Sequence, residues 1–593
     1  MIHYQKRKNI PLFKNIEKVK QVTHLQNYIP LYNKLFQLNE TNYNNINLNH
    51  PWHVHHIKKQ ESNDDPLDAL LRNIEDDKQI ERTIFLKMAP LLDPFKYICG
   101  KFSPEEHRLL SVLPSFDPTI NFLPQFKDEN NCAYIDGFFV YLTDVLHSKF
   151  YFTHGLSFYG SFLGIKKGFE FNIADDLDYL TESDYFMKNK NVLFQVESYD
   201  HIYDTNLPHE ENKKMKLNIE EKQISEGEIC FDTIPEKEFS ELFIDLNDVK
   251  EHSIDLEEMI EIDNNNEPSS CLTLKSLRSD TCSSRTSYTS DFSEEDDEEG
   301  QGQGQDKNNS EKEKEEDESS SSCWESDESD EFDNDIVIKA SLPEFPVELI
   351  FMEHCEETLD SLMGKDIPLT TEEWQSLLFQ VIMILLTYQK TFSFTHNDLH
   401  TNNIMYNTTE KTDLYYCFEG QHYKVPTFGR IFKIIDFGRA IYKVNEKVYC
   451  SSSYQLGDDA SGQYNIEPYF NPKKPRLEPN YSFDLCRLAC SIFDYLVDDL
   501  EKLYELINVK KDPIVRIINE WCLDDKGIHM LYKKNGLDRY PEFKLYKMIA
   551  RCVHNHTPLN QLSRPEFQAF RISREDIPKK GKHVMNLDLI PCF

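Results

Sequence analysis

Glycine is scarce in this chain, with 19 residues in 593 and none before Gly100. Glycine-rich loops bring backbone N–H groups close to bound phosphates, because a residue without a Cβ permits that close approach. The first 99 residues therefore contain no loop of the G-x-G-x-x-G type. A nucleotide site built on this part of the chain would need another way to cover the phosphates.

The sequence also lacks closely spaced cysteine pairs and a long apolar segment. None of its 14 cysteines forms a C-x-x-C pair, so neither a zinc ribbon nor a secreted disulfide framework is indicated. The most apolar run, Leu377–Leu386, is too short to cross a bilayer. The N-terminus, MIHYQKRKNI, has no apolar core of the kind a signal peptide carries. We therefore expect a soluble intracellular protein with no membrane partner.

Basic residues are outnumbered, with 65 Lys and Arg against 103 Asp and Glu and a formal net charge of -38. Because phosphate contacts need Lys and Arg, we expect no nucleic-acid partner. Residues 255–335 alone hold 28 acidic and 6 basic residues. Such a segment buries too little apolar surface to offset chain entropy, so we predict an acidic, disordered insertion there. Two interpretations of this segment are open: a solvated loop without a partner, and a segment that recruits a basic partner. Serines lie among the acids and resemble substrates of acid-directed kinases (Ser319–Ser322, Ser326, Ser329).

Two polar strings follow β-type apolar runs in the second half of the chain. They read FTHNDLHTNNIM (residues 394–405) and IFKIIDFGRA (residues 431–440). The first places His396, Asp398 and Asn403 in an H-x-D-x4-N spacing, and the second places Asp436 before Phe-Gly. The Asp398 carboxylate can orient and accept the proton of an acceptor hydroxyl, and Asn403 and Asp436 offer the oxygen ligands that Mg²⁺ prefers. The strings therefore predict phosphoryl transfer from ATP.

These strings resemble the catalytic loop and the D-F-G magnesium loop of the protein-kinase-like superfamily. The resemblance covers about residues 81–170 and 346–570. It implies an α+β, bilobal fold with a β-rich small lobe and a helical large lobe, ATP and Mg²⁺ as cofactors, and a protein substrate phosphorylated on Ser or Thr. The implied organisation is an N-terminal extension (1–75), a small lobe (76–166 and 336–355), an insertion (167–335), a helical catalytic lobe (356–575) and a tail (576–593).

The resemblance also assigns a phosphate-gripping lysine and its acidic partner. A strand predicted at 81–88 ends its apolar run in Lys87, the candidate for contact with the α/β-phosphates. An amphipathic helix predicted at 131–147 contains two acids, of which Asp136 is preferred to Asp144 as the partner of Lys87. A strand-end lysine in water and a helix-surface aspartate are the plain structural alternatives.

A strand predicted at 346–353 resembles the approach to the hinge between the two kinase lobes. By that resemblance Met352 faces the ATP pocket, while Glu353 and Cys355 present backbone groups to adenine. Further along, Asp484 near the start of a hydrophobic helix would hold the backbone of the catalytic loop. The alternatives are an ordinary strand leading to a helix and a simple helix-capping acid.

Three departures from the usual kinase pattern keep other functions open. His400 stands where most protein kinases carry Lys, which resembles both haspin-like protein kinases and small-molecule kinases of the aminoglycoside and choline type; we include His396 and His400 among the catalytic candidates. Asn397 stands where kinases controlled by loop phosphorylation place Arg, so control through Ser451–Tyr454 is not expected. The missing glycine loop also fits a pseudokinase scaffold whose acidic insertion recruits basic partners.

The texture of the chain, rich in Asn, Ile, Tyr and Phe, resembles uncharacterised kinase-like proteins of giant DNA viruses, which implies the host cytoplasm or the virion as its location. The remaining expectations concern secondary structure. They are a helix around Ile16–Leu38, a surface histidine cluster at 52–56, a strand element at 154–166, a helix from the capping box Thr370–Glu373 to about Lys390, strands at Phe392–Thr395 and Ile431–Ile435, and a small insertion near Lys411–Arg430.

Overall fold

The computed structural model describes residues 2–58, 66–199, 337–497, 499–533, 536–541, 543–577 and 583–593. The acidic segment 255–335 and its serines lie outside these residues. Its disorder therefore stays a prediction.

The first half of the described chain contains most residues of the largest sheet and several helices, of which Cys132–Phe150 is the longest. Its strands are β1 (Tyr4–Lys6), β2 (Val22–Gln26), β3 (Ile46–Leu48), β4 (Trp52–Ile57), β5 (Leu67–Asn73), β6 (Gln79–Pro90), β7 (Phe158–Asn172) and β8 (Gln195–Val196). Its helices are α1 (Ile10–Lys20), α2 (Tyr32–Leu35), α3 (Pro94–Ile98), α4 (Pro104–Leu109), α5 (Pro124–Lys127), α6 (Cys132–Phe150), α7 (Leu177–Glu182) and α8 (Asp184–Asn189).

The second half contains the longest described helix and the helices that follow the two polar strings. Its strands are β9 (Lys339–Glu353), β10 (Glu357–Thr358), β11 (Ile404–Thr408), β12 (Asp413–Phe418), β13 (Gln421–Pro426), β14 (Arg430–Ile434), β15 (Ile441–Val444), β16 (Lys447–Cys450), β17 (Arg571–Ile572) and β18 (Val584–Asn586). Its helices are α9 (Leu359–Met363), α10 (Thr371–Phe392), α11 (Phe483–Leu496), α12 (Pro513–Trp521), α13 (Lys544–Cys552), α14 (Pro558–Gln561) and α15 (Pro565–Gln568).

Among the described residues, an antiparallel sheet of seven strands positions Lys87. Its order is β2-β7-β9-β6-β5-β4, with β8 pairing with β9. Lys87 on β6 lies opposite Ile350 on β9, so the predicted strands at 81–88 and 346–353 are confirmed. Strands β2, β4 and β5 precede residue 76 and still belong to this sheet.

Helix α6 lies against the sheet and confirms the helix predicted at 131–147. The Asn131 side chain caps its first turn by accepting from the Ala133 N–H. Every residue from Ala133 to Leu146 is buried, which fits its high apolar content. Burial on all sides marks α6 as a core helix rather than an amphipathic surface helix.

Helix α10 begins at the predicted capping box, in which the Thr370 side chain accepts from the Glu373 N–H and the Glu373 carboxylate accepts from the Thr370 N–H. The helix ends at Phe392, where Ser393 takes a left-handed conformation with φ 49°. The strand predicted at Phe392–Thr395 is therefore wrong, because Phe392 still belongs to the helix. Thr395 makes a single β-bridge, to Ile441.

Three other predictions near the N-terminus need correction. The helix predicted around Ile16–Leu38 is present in part: α1 covers its start and α2 its residues 32–35. Between them Gln21 is left-handed and the chain enters β2, which pairs with β7. The predicted surface histidine cluster is strand β4, in which His53 is buried and His56 is exposed. The strand predicted at 154–166 begins only at Phe158, since buried His154 instead hydrogen-bonds the Phe432 carbonyl.

The predicted insertion at Lys411–Arg430 forms a hairpin that other parts of the chain extend. Strands β12 and β13 pair with Tyr416 opposite Tyr423. Strands β17 and β18, from the end of the chain, flank the hairpin in the order β17-β13-β12-β18. The segment is therefore the centre of a second sheet.

Candidate active site

Lys87 lies between two carboxylates that come from different parts of the chain. Its Nζ is 2.5 Å from Asp136 Oδ2 on α6 and 2.9 Å from Asp436 Oδ1, which follows β14. Burial alone would lower the pKa of Lys87, but the two carboxylates outweigh burial and raise it above its usual value. Lys87 is therefore held as a cation in the cleft between the sheet and the two polar strings, residues 394–405 and 431–440.

Helix α6 comes close enough for a short acid to reach the lysine. Asp136 Oδ1 also accepts from the Phe437 N–H at 2.9 Å, so this carboxylate joins α6 to the loop that carries Asp436. The next residue, Gly137, faces the buried Glu348 carboxyl, and a Cβ there would lie 2.4 Å from Glu348 Oε1. Asp144, the other candidate, instead interacts electrostatically with Glu353 and Lys433.

Asp484 on α11 holds the backbone of the loop that carries Asp398. The Asp484 carboxylate accepts from the N–H groups of His396 at 2.9 Å and Asn397 at 2.8 Å. His396 is fully buried; its Nε2 donates to the Ile435 carbonyl at 2.9 Å and its Nδ1 accepts from the Asp398 N–H at 3.3 Å. These contacts place His396 as a link between the two strings rather than at the cavity.

Both Asn397 and Asp436 have left-handed backbones, with φ of 67° and 61°. Such a conformation costs a residue other than glycine about 1 kcal/mol, although Asn and Asp tolerate it best. The Asn397 side chain fixes its own turn by donating to the Arg439 carbonyl and accepting from the Tyr464 hydroxyl. Backbone strain of this kind often accompanies functional sites.

Asp398 is 8% exposed and has partners on both carboxylate oxygens. Oδ1 accepts from the Tyr546 hydroxyl at 2.7 Å, and Oδ2 lies 3.9 Å from Arg439 Nε. Burial opposes ionisation of Asp398, but Arg439 and the neighbouring donors outweigh it and lower its pKa. The carboxylate is therefore ionised at neutral pH.

Asn403 and His400 lie together beside the Asp398 backbone. Asn403 Nδ2 donates to the Asp398 carbonyl at 2.8 Å and lies 3.1 Å from His400 Nε2. Burial lowers the pKa of His400 to about 4, so a neutral imidazole can accept from the amide. With its nitrogen engaged in this way, Asn403 presents its amide oxygen for another contact.

Asp436 is ionised and only partly enclosed. Burial would raise its pKa, but Lys87 outweighs burial and lowers the pKa to about 2. The relative solvent exposure of the Asp436 side chain is 49%. Carboxylate and amide oxygens suit Mg²⁺, so the chemistry of Asp436 and Asn403 fits that ion. Among the described residues, no group of three or more His, Cys, Asp or Glu side chains could hold a metal by itself; Mg²⁺ at such a site keeps water and phosphate ligands.

Four predicted residues line one cavity of about 860 Å³: Lys87, Asp136, Asp398 and Asp436. Arg439, Asp458 and Asp459 line it as well. The cavity lining does not include His396, His400, Asn403, Met352, Glu353 or Cys355. The structure thus brings these four charged residues of the predicted site together around one cavity.

The residues predicted for the hinge lie at the end of β9. The Glu353 carboxylate faces inward, 3.0 Å from Lys433 Nζ, and accepts from the Ser157 N–H at 3.0 Å and from Asn407 Nδ2 at 2.8 Å. Met352 and Cys355 are buried. Contact of this segment with adenine stays a prediction.

Sequence reasoning missed Arg439 and Tyr546. Arg439 follows the D-F-G string directly, and its position three residues after Asp436 was a signal that could have been used. Tyr546 is 148 residues from Asp398 in the sequence, and no local pattern marks it. A loop that is phosphorylated must be accessible to the modifying enzyme. In the segment after Gly438, Ser451, Ser453 and Tyr454 are instead buried.

Comparison with known proteins supports a protein-kinase-like relationship. No family model matches the chain. A curated protein described as a serine/threonine-protein kinase haspin homolog, from Arabidopsis thaliana, is 29% identical over 165 residues. The match covers 27% of this chain and 27% of that relative, so the chain matches about a quarter of its relative's length. Separately, none of the described helices is long and apolar enough to cross a membrane.

Proposed function

We propose that this chain transfers the γ-phosphoryl group of Mg²⁺·ATP to Ser or Thr hydroxyls of a protein substrate. The observation that carries the proposal is the convergence of Lys87, Asp136, Asp398 and Asp436 on one cavity. Phosphoryl transfer needs positioning and charge compensation more than covalent chemistry, and these groups supply both. In this proposal the seven-stranded sheet with α6 forms a small lobe and the helices after residue 359 form a large lobe.

Each residue has a distinct part in the proposed reaction. Lys87 steadies the α/β-phosphates, and Asp136 holds the lysine and the loop around Asp436. Asp436 and the Asn403 amide oxygen would hold Mg²⁺, which neutralises charge on the phosphates. Asp398 orients the acceptor hydroxyl and accepts its proton. Asp484 and His396 position the loop that carries Asp398.

The protein acceptor is supported by two observations. The relative from Arabidopsis thaliana is described as a serine/threonine-protein kinase. A long segment, residues 437–482, separates Asp436 from α11 and borders the cavity through Arg439, Asp458 and Asp459. We also retain, as proposals, the resemblance to giant-virus proteins, a basic partner for residues 255–335, and an amino-sugar or choline acceptor suggested by His400.

A catalytically weak scaffold is the second candidate, and the sequence that joins β4 to β5 favours it. Residues 58–66 precede the lysine strand and contain no glycine. Titration with Mg²⁺·ATP in a thermal-shift assay separates the two candidates, because a ligand that binds the native state raises the melting temperature. A scaffold that does not bind nucleotide shows no shift.

The proposed reaction is tested with γ-labelled ATP, the purified chain and a generic acceptor protein. We expect Asp436→Ala to remove Mg²⁺-dependent labelling and Asp398→Asn to lower it by about 10² or more, with melting temperatures near that of the wild type. Asp366→Ala, which removes an exposed aspartate away from the cavity, is the matched control and should label normally. Unchanged labelling in Asp436→Ala would remove the assignment.

A further inference from the structure

The hydroxyl of Tyr546 makes the kind of hydrogen bond to Asp398 that the proposed reaction needs from the acceptor hydroxyl. Tyr546 is on α13, is 4% exposed, and donates to Asp398 Oδ1 at 2.7 Å. An acceptor that gives its proton to this carboxylate must lie within about 2.6–3.2 Å of it. The Tyr546 hydroxyl therefore fills one hydrogen-bonding position on the carboxylate that the proposed reaction uses as its base.

The second oxygen of Asp398 faces a cation. Arg439 Nε lies 3.9 Å from Oδ2, while Arg439 Nη2 is 2.6 Å from Asp459 Oδ2. The arginine is thus directed by a second carboxylate in the segment after Gly438. An acceptor hydroxyl approaching Asp398 meets Arg439 on one oxygen and Tyr546 on the other.

Aromatic and cationic contacts hold the Tyr546 ring. The guanidinium carbons of Arg487 and Arg439 lie 5.0 and 5.5 Å from its centroid. Phe543 stacks on it with a centroid separation of 5.3 Å. Cations over an aromatic face are attracted to it, so the ring has a defined resting place.

Because Asp398 lines the large cavity, movement of the Tyr546 side chain would expose its Oδ1 to whatever occupies that space. Water is the smallest competitor for the position. If water reached Asp398 beside bound Mg²⁺·ATP, the enzyme would hydrolyse the nucleotide without phosphorylating anything. A protein that phosphorylates other proteins benefits from a group that excludes water until an acceptor is docked.

We propose that Tyr546 guards Asp398 Oδ1, keeping water from that oxygen until a hydroxyl of a docked protein displaces the Tyr546 hydroxyl. This inference rests on the proposed function. In the guarded step the acceptor O–H gives its proton to Asp398, its oxygen bonds to the γ-phosphorus, and the bond from that phosphorus to the β,γ-bridging oxygen breaks to release ADP. With water as acceptor the same step gives ADP and inorganic phosphate.

The test measures ADP release by the full chain with Mg²⁺·ATP alone, so that water is the acceptor. We expect Tyr546→Phe to raise the rate at least about tenfold, since a hydrogen bond to a charged group is lost, with the KM for ATP unchanged. Tyr388→Phe is the matched control; its hydroxyl is buried and has no hydrogen-bond partner among the described residues.

An ADP-release rate equal to or below that of the wild type overturns the guard. If transfer to a generic acceptor protein also falls, Tyr546 is a positioning residue for Asp398 instead. The proposed function fails separately, when the wild type labels no protein and shows no Mg²⁺·ATP thermal shift. If the melting temperature of Tyr546→Phe falls below that of the Tyr388→Phe control, the ADP-release rates are compared at a temperature at which both variants and the wild type are folded.

Discussion

At the scale of single residues, Asp136 and Gly137 act as a pair. A glutamate has one more methylene than an aspartate, so an aspartate can reach a strand lysine only if its helix lies closer to the sheet. Gly137 permits this approach, because its missing Cβ leaves room for the Glu348 carboxyl. Burial raises the pKa of Glu348 well above its usual value, with Asp136 adding to the effect, so Glu348 is neutral in this position.

We therefore predict that Gly137→Ala destabilises the protein, although alanine is the better helix former by about 1 kcal/mol. The new Cβ would lie 2.4 Å from Glu348 Oε1, and overpacking of a buried site costs about 1–3 kcal/mol. Moving α6 outward would also separate Asp136 from Lys87 and lower kcat/KM for ATP. Urea denaturation and an ATP titration of the activity measure both effects.

Gly364→Ala is the control for this substitution, since a Cβ at Gly364 would make only ordinary contacts at 3.8 and 3.9 Å. It should keep both stability and activity. A Gly137→Ala protein as stable and as active as the Gly364 variant would show that the helix does not need this close approach.

At the scale of elements, the sequence predicts a helix or a strand where the residue types and the hydrophobic periodicity of one segment indicate the same element. The capping box of α10, the apolar content of α6 and the strands around Lys87 and Asp436 are of this kind. Contacts between distant segments carry no such signal: Tyr546 meets Asp398, and β17 and β18 extend the β12–β13 hairpin, only after the chain has folded. The same cause interrupts the helix predicted around Ile16–Leu38, since pairing with β7 makes Val22–Gln26 a strand between α1 and α2.

Helix α6 also carries Asp144, a buried acid whose titration affects stability. Burial raises the pKa of Asp144 from 3.8 to about 7. Between these two pH values the folded state holds a proton that the unfolded state has lost, so raising the pH from about 4 to 7 destabilises the fold. Below pH 4 the group has no such cost, and above pH 7 the cost is complete.

Asp144→Asn removes this titration, and we predict that the variant gains stability over the wild type as the pH rises. The gain should be near zero at pH 3, about 2 kcal/mol at pH 5 and at most about 4 kcal/mol at pH 8. Urea denaturation at several pH values measures it, with Asp366→Asn at an exposed position as the control. A stability difference that does not change with pH would contradict a raised pKa for Asp144.

At the scale of the whole molecule, the described segments on either side of residues 200–336 meet in one sheet. The N–H of Glu197 donates to the Lys339 carbonyl at 2.9 Å, and the N–H of Ile173 donates to the Ile338 carbonyl at 2.8 Å. Asn172 also lies opposite Lys339 in the β7–β9 pairing. The two ends of the described chain at this point are therefore neighbours in one sheet.

Because those ends are already joined by hydrogen bonds, we predict that replacing residues 200–336 by a short Gly-Ser linker leaves the melting temperature and the ADP-release rate near those of the full chain. Loop-closure entropy changes slowly with loop length, so the shorter connection carries little penalty. Deleting 174–196 is the contrasting control, since it removes buried Leu177, Leu180, Phe186 and Phe194, and it should destabilise the protein strongly. A large loss of stability or activity on removing 200–336 would make that segment part of the catalytic fold. Binding to a basic protein that falls with the deletion while catalysis persists would instead separate recruitment by the acidic residues from the chemistry at Asp398.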